Sequence, residues 1–414
     1  MMEPSCIGDE FPHDARRRVM GAIWRDPLFW VSLAVVALTF VRWLNSGIAR
    51  TYDAELAKWY VSSAPISILP GSVDGAGVRE FVGAIAFLVV VQGCRHALGK
   101  AARFAFLFMA SVFSGISALA VIGLFAFRLA DVGVYVKCPL ENPCYVGAVF
   151  GVYFLAGTAA LIASFERKWR LVMPFAILSI GGNAAGAFLF SPSWTTAAFA
   201  GAEVLLLAYS FPYARKTLSH AGEFKFIVIT GIALAFAAVV SMAALSEGDM
   251  AGKIAAFMTG EFFPKGYFAM RDELSRIALH VWKSNLWLGT GLGTFGIDMR
   301  FAPNVNWSVV QPFSVSALNG YWQLLAERGI LGALMFAVPL CFLLWTYFRR
   351  LVAGMRSFSR MLPHPACIAG MLVLLAAAAE AVVESTFMEP GMFVAIAAFA
   401  AIAANSFPKE SHDG

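Results

Sequence analysis

The sequence predicts an all-α polytopic membrane protein, with about ten transmembrane helices and one long folded external loop. Composition is the first reason. Hydrophobic residues make up 59% of the 414 and charged residues 14%, where soluble chains run about 45–50% and about 25%. The second reason is a mean hydropathy of +0.71 over the whole length, which leaves little surface for water. The third is pattern: the apolar residues gather into runs that are apolar on every side, as spanning helices are and alternating barrel strands are not. Together these exclude a secreted mini-protein, a disordered tail and an ordinary cytosolic enzyme. A formal charge of +5 is too small to point to nucleic acid, and six cysteines are too few for a disulfide scaffold.

A helix needs about 20 apolar residues to cross the hydrocarbon layer. In chain order the candidates are 28–44, 81–98, 104–127, 145–165, 171–190, 194–213, 226–245, 330–348, 366–383 and 392–407. Arg95 and His96 interrupt the second, and the last is the shortest. Lys and Arg collect on the cytoplasmic side of short loops. With the N-terminus inside, the cytoplasmic segments hold eighteen of them and the short external loops six. The expected organisation is a cytoplasmic tail (1–27), seven spans (28–245), a large periplasmic loop (246–329), three spans (330–407) and a cytoplasmic tail (408–414). Helical spans imply a bacterial cytoplasmic (inner) membrane, with both termini cytoplasmic. Arg16, Arg17 and Arg18 before an apolar run imitate a signal peptide, but no small-residue cleavage site follows, so an uncleaved first helix is expected. Cys138 and Cys144 share one short external loop and are a disulfide candidate.

Segment 246–329 has no span of its own, yet it carries Phe, Trp, Leu and Ile at helical spacing and should fold. Residues 271–287 read as a helix on or near the membrane surface. Leu274, Ile277, Ala278 and Val281 fall at i, i+3, i+4 and i+7 and make one apolar face. Arg276, His280 and Lys283 share another face, which either grips phosphate or is simply solvated, with Trp282 and Trp287 as interfacial anchors. Next come Gly289, Gly291, Gly293 and Gly296. Three of them match the dinucleotide spacing, but no strand precedes them and no βαβ unit surrounds them. They let the backbone approach a ligand closely, or they end the preceding helix.

From Arg271 and Leu274, through Gly289-x-Gly291-x-Gly293-x-Phe295, to Asn319-Gly320-Tyr321 and Leu325-x-Glu327-x-Gly329-Ile330-Leu331-Gly332, the chain resembles the O-antigen ligase and O-antigen (exopolysaccharide) polymerase superfamily. The resemblance implies a membrane glycosyltransferase that moves a glycan off undecaprenyl pyrophosphate. It also implies many spans around one large periplasmic loop. Where such proteins usually carry His one residue before the Asn, this chain has Leu318; a common Trp is here Ser275.

The chemistry so implied needs cations where a pyrophosphate departs, and arginine suits this because its planar fork holds two phosphate oxygens and stays charged. The candidate catalytic residues are Arg271 and Arg300, with His280 as substitute base and Glu384 as a further carboxylate. Glu380 and Glu384 lie four apart on one helix face, either functional or paired with Arg42 or Arg79. Arg79, Arg276, Gly291, Gly293, Asn319, Tyr321 and Glu327 are the candidate substrate-binding residues. No metal-ligand spacing is visible, and neither metal nor other cofactor is expected. Expected partners are the lipid-linked glycan, membrane lipids and other polysaccharide-assembly proteins. The Asn-Gly-Tyr form of the motif favours a polymerase. The alternatives are a ligase acting on lipid A core or protein, a lipid-linked glycan flippase, and an inactive scaffold of the same assembly pathway.

Overall fold

The computed structural model describes residues 13–48, 50–53, 58–61, 66, 71–73, 75–126, 143–166, 173–190, 193–217, 229, 266–310, 316–356, 364–383, 395–397 and 399–401. Among them six helices are long and apolar enough to cross a membrane, and two further apolar helices are shorter. The predicted spans 226–245 and 392–407 fall outside the described residues apart from 229, 395–397 and 399–401.

A short helix, α1 (His13–Trp24), precedes the first span, α2 (Pro27–Leu44). Asp26 starts α2: its carboxylate accepts from the Leu28 amide at 3.1 Å, and Pro27 occupies the first turn, where no amide is needed. After α2 the chain makes four short strands. β1 (Ser46–Ile48) pairs in parallel with β4 (Ser72–Val73), and β2 (Arg50–Asp53) pairs antiparallel with β3 (Lys58–Val61). α3 (Ala76–Gln92) then continues as a π-helical turn, Gly93–Ala97. That turn is where Arg95 and His96 interrupt the apolar run, and both reach Asp26, at 3.5 and 3.0 Å.

α4 (Lys100–Ala126), α5 (Pro143–Glu166) and α6 (Met173–Phe190) pack on one another, and α5 also meets α7 (Ser193–Thr217). α5 is the core helix: Val152, Leu155, Ala156, Ala159, Leu161 and Ile162 are all fully buried, as its apolar character on every side demands. Small residues let α4 and α6 approach closely. Gly182 lies against the Gly115 backbone, and Asn183 donates to the Ser111 carbonyl at 3.1 Å while accepting from Ser114 at 2.7 Å. Glu203 of α7 is buried and accepts from Thr158 of α5 at 2.5 Å.

The remaining helices are α8 (Tyr267–Ser284), the short α9 (Phe295–Asp298) with its 3₁₀ turn Met299–Phe301, α10 (Gly320–Arg356) and α11 (Pro365–Glu380). α8 packs on α10, α10 on α2 and α11, and α11 on α5 and α7. α10 begins ten residues before the span expected at 330–348, and it is broken at Gly329. That break organises the site.

Candidate functional site

α8 buries the face its spacing predicts: Leu274, Ile277 and Ala278 are 0% exposed, packed with Phe295, Met299, Val310, Ala317 and Ala326. This cluster seats α8 and the following glycine loop against the first part of α10. The loop then enters α10 itself. An α-helix needs N–H(i) to O(i−4) bonds, and at Gly329 the chain leaves that path with φ 63 and ψ −172, a conformation open essentially to glycine alone. The break frees the carbonyls of Ala326 and Glu327 and the amides of Ile330 and Leu331. The loop replaces each partner. Thr290 N and Gly291 N donate to Ala326 O and Glu327 O at 3.0 and 3.1 Å; Ile330 N and Leu331 N donate to Leu286 O and Trp287 O at 2.9 and 3.1 Å. A Cβ on Gly329 would strike the Trp287 backbone, and one on Gly289 the Glu327 backbone. Buried backbone polar groups must find such partners.

Side chains complete the junction. Arg42 of α2, 1% exposed, donates from one nitrogen to Leu288 O at 3.1 Å and Arg328 O at 3.3 Å. Arg328 is ion-paired with Glu80 of α3 and lies over the Phe336 ring at 3.9 Å. The Glu327 carboxylate accepts from the amides of Gly293 and Phe295 at 3.1 and 3.3 Å, and from Gln323 at 3.3 Å. Glu327 is therefore engaged in holding the loop. Residues 71–73 pair with Leu292, which donates to Gly71 O at 3.1 Å and accepts from Val73 N at 2.9 Å. Gly291 is buried beside the Gly71 carbonyl, and exposed Gly293 sits over the start of α3 beside Ala76.

A second junction lies where α10 begins. Buried Asn319 caps the helix, its side-chain oxygen accepting from Tyr321 N and Trp322 N at 3.1 and 3.2 Å. The end of α11 leaves carbonyls without helical partners, and four donors meet carbonyls there. Tyr321 Oη reaches Ala378 O at 2.8 Å, Gly320 N reaches Ala381 O at 2.8 Å, Arg271 reaches Val382 O at 2.7 Å, and Tyr267 Oη reaches Val383 O at 2.7 Å. An apolar cavity of about 410 Å³ opens directly below, between α10 and α11, lined by Tyr321, Leu324, Leu325, Ile330, Leu340 and Leu374 among others. Arg271 is half-buried, its Nε has no hydrogen-bond partner, and among the described residues no carboxylate pairs with it. Arg271 does not line the cavity; it bonds to Val382 O, one residue beyond the lining residue Ala381.

The other expected residues divide. Arg276 is not an open phosphate grip: it makes two bonds to Glu273, at 2.7 and 2.9 Å, and donates to Asn304 O at 2.9 Å. The guanidinium holds the Glu273 carboxyl down at about 2, and the same pairing raises Arg276. His280 and Lys283 are exposed on α8. Arg300 is half-buried in the 3₁₀ turn and Arg79 half-buried in the first turn of α3, whose start the glycine loop covers. Glu380 is buried and accepts from Thr195 at 3.4 Å; Arg42 turns to backbone carbonyls instead of to it. Glu384 and Cys138 lie outside the described residues, so neither the carboxylate nor the disulfide candidate is placed. Asp298, not among the expected residues, is held by the Thr290 and Thr294 hydroxyls, and burial raises its pKa above the usual value. In the sequence Arg42 stood only as an external-loop cation and a candidate partner of the Glu380 face, and nothing marked Asp298.

No protein-family model matches the chain, and no curated protein matches it. The fold defines the class: a multi-pass membrane protein built of α-helices, with a loop-stapled broken helix, α10.

Proposed function

We propose that this chain is a membrane glycosyltransferase that moves a glycan from undecaprenyl pyrophosphate onto a glycan acceptor, acting as a polysaccharide polymerase. The observation that carries the reading is the apolar groove between α10 and α11, with Arg271 bonded to the chain one residue beyond its lining residue Ala381. An apolar groove with a guanidinium near its end that no carboxylate among the described residues pairs with suits an amphiphile with an anionic head, and a polyprenyl pyrophosphate is one. The resemblance from Arg271 to Gly332 supports the same donor.

In the proposed reaction an acceptor hydroxyl attacks the anomeric carbon of the donor glycan. The bond to the phosphate oxygen breaks, and the pyrophosphate leaves with the electron pair. Arg271, with Arg300 and Arg79 from the elements around the glycine loop, supplies positive charge where that pair arrives, an interaction that strengthens as charge develops. The hydroxyl proton passes to solvent or to a carboxylate. Positive charge in the short loops puts both termini in the cytoplasm and the groove's head on the periplasmic side of the inner membrane.

Purified full-length protein in lipid nanodiscs, given lipid-linked oligosaccharide, should lengthen the glycan. Arg271→Ala should lower turnover about 100-fold or more, as loss of one charge-stabilising donor does elsewhere. Wild-type turnover in both Arg271→Ala and Arg300→Ala would overturn the assignment.

A further inference from the structure

α7 carries an acidic side chain in the middle of its span. Glu203 lies nine residues after Trp194 and eleven before Ala214, the two ends of that span. At about 1.5 Å per residue it stands roughly 14 and 17 Å from them. The next two residues, Val204 and Leu205, are 64% and 60% exposed, and the space beside Gly201 is open. Glu203 itself turns inward, 4% exposed, against Thr158 of α5, which is 1% exposed.

Nothing around it compensates a charge. Oε1 accepts from the Thr158 hydroxyl at 2.5 Å, and buried Oε2 has no hydrogen-bond partner. α7 packs on α5 and α11 and touches α6. The ionisable side chains described on these helices, Tyr153, Tyr209, Tyr213, His364, Cys367 and Glu380, make no bond to Glu203. An unpaired charge away from water costs far more than an unpaired neutral group, so an acid in such a place takes up a proton instead. A metal cation does not fit, since it would ask for about six oxygen ligands, and Glu203 has one hydroxyl beside it.

We propose that Glu203 is a proton-binding site in the middle of the membrane, carried as the neutral acid with its proton on Oε2 and the Thr158 hydroxyl bonded to its carbonyl oxygen, Oε1. Dissociation passes the proton to water and leaves the electron pair on Oε2, so water must first reach the contact between α5 and α7. Proton loss and the parting of these two helices are therefore one event. The site shares no residue with the groove between α10 and α11, and it stands whether or not the chain transfers a glycan.

The test is infrared difference spectroscopy of the full-length protein at neutral pH in dodecyl maltoside, a detergent without carbonyl groups. Wild type minus Glu203→Gln, which keeps the side chain's shape, should show the C=O band of a neutral carboxyl. Thr158→Val should move that band to higher frequency by removing its hydrogen bond. In heavy water the band should shift as slowly as the amides of α5 and α7 exchange. Labelling gives a second readout that needs no variant: in nanodiscs, lipid-soluble dicyclohexylcarbodiimide should modify Glu203 and a water-soluble carbodiimide should not. Carboxylate bands in place of the neutral one, a band that Thr158→Val leaves unmoved, or equal modification by both reagents overturns the proposal. So does a neutral band that never shifts in heavy water, which would make Glu203 a sealed structural acid.

Discussion

Arg42 shows how much one side chain contributes at this junction. Its guanidinium joins α2 to the glycine loop through Leu288 O and to α10, just before the break, through Arg328 O. Arg42→Ala leaves the buried Arg328 carbonyl short of a donor, at about 1–3 kcal/mol, and the part-buried Leu288 carbonyl at less. Arg42→Lys keeps the charge but not the planar head, so it should fall between Ala and wild type in thermal stability in detergent. Stability of Arg42→Ala equal to wild type would remove Arg42 from the junction. Asp298 carries a prediction with a definite sign. Burial raises its pKa above 3.8, so its ionisation is harder in the folded chain than in the unfolded one. Its contribution is therefore most favourable below about pH 3.8 and declines as pH rises through that value to the folded one. Asp298→Asn should gain on wild type as pH climbs from 4 to 7, followed by the unfolding midpoint at each pH. A variant that loses ground over that interval would contradict the assignment.

Among the elements, α10 and the glycine loop behave as one unit, because each supplies the hydrogen-bond partners the other lacks. Gly329→Ala places a Cβ against the Trp287 backbone at a φ of 63. It should cost at least ~2–3 kcal/mol, with faster amide exchange at Thr290 and Gly291; unchanged exchange would mean that the loop does not depend on the break. The Glu273–Arg276 clamp is weaker and more exposed. With Glu273 near 2 against an ordinary 4.5, its stabilisation is full above about pH 4.5 and fades as pH falls toward 2. Glu273→Gln should remove roughly 0.5–1 kcal/mol, given the exposure of Arg276, and flatten that acid limb.

Some of this was readable at the element scale. The face Leu274, Ile277, Ala278 and Val281 followed from helical spacing, and it is the face that packs. The break was not readable as such: the boundary expected between loop and span fell at 329/330, but the helix begins at Gly320, and only the distant loop supplies the partners that hold Gly329 at positive φ. Glu327 looked like a candidate ligand-binding acid for the same reason, since its amide partners lie more than thirty residues earlier.

For the whole molecule, composition alone was enough to assign a helical membrane protein, because hydropathy over a span length is a local property. The ties that bring α2, α3, the glycine loop and α10 together are not local. Arg42 and Leu288 are separated by 246 positions, and no periodicity links them. The resulting architecture sets an apolar groove between α10 and α11, next to the end of α11 that Arg271 bonds. The proposed function requires that this groove take a polyprenyl diphosphate by its head. Native mass spectrometry of the full chain, offered undecaprenyl diphosphate and undecaprenol in equal amounts, tests that most directly. The account predicts that wild type and Arg276→Ala retain the diphosphate in preference and that Arg271→Ala loses the preference. Equal retention of both lipids by wild type, or an undiminished preference in Arg271→Ala, would contradict it.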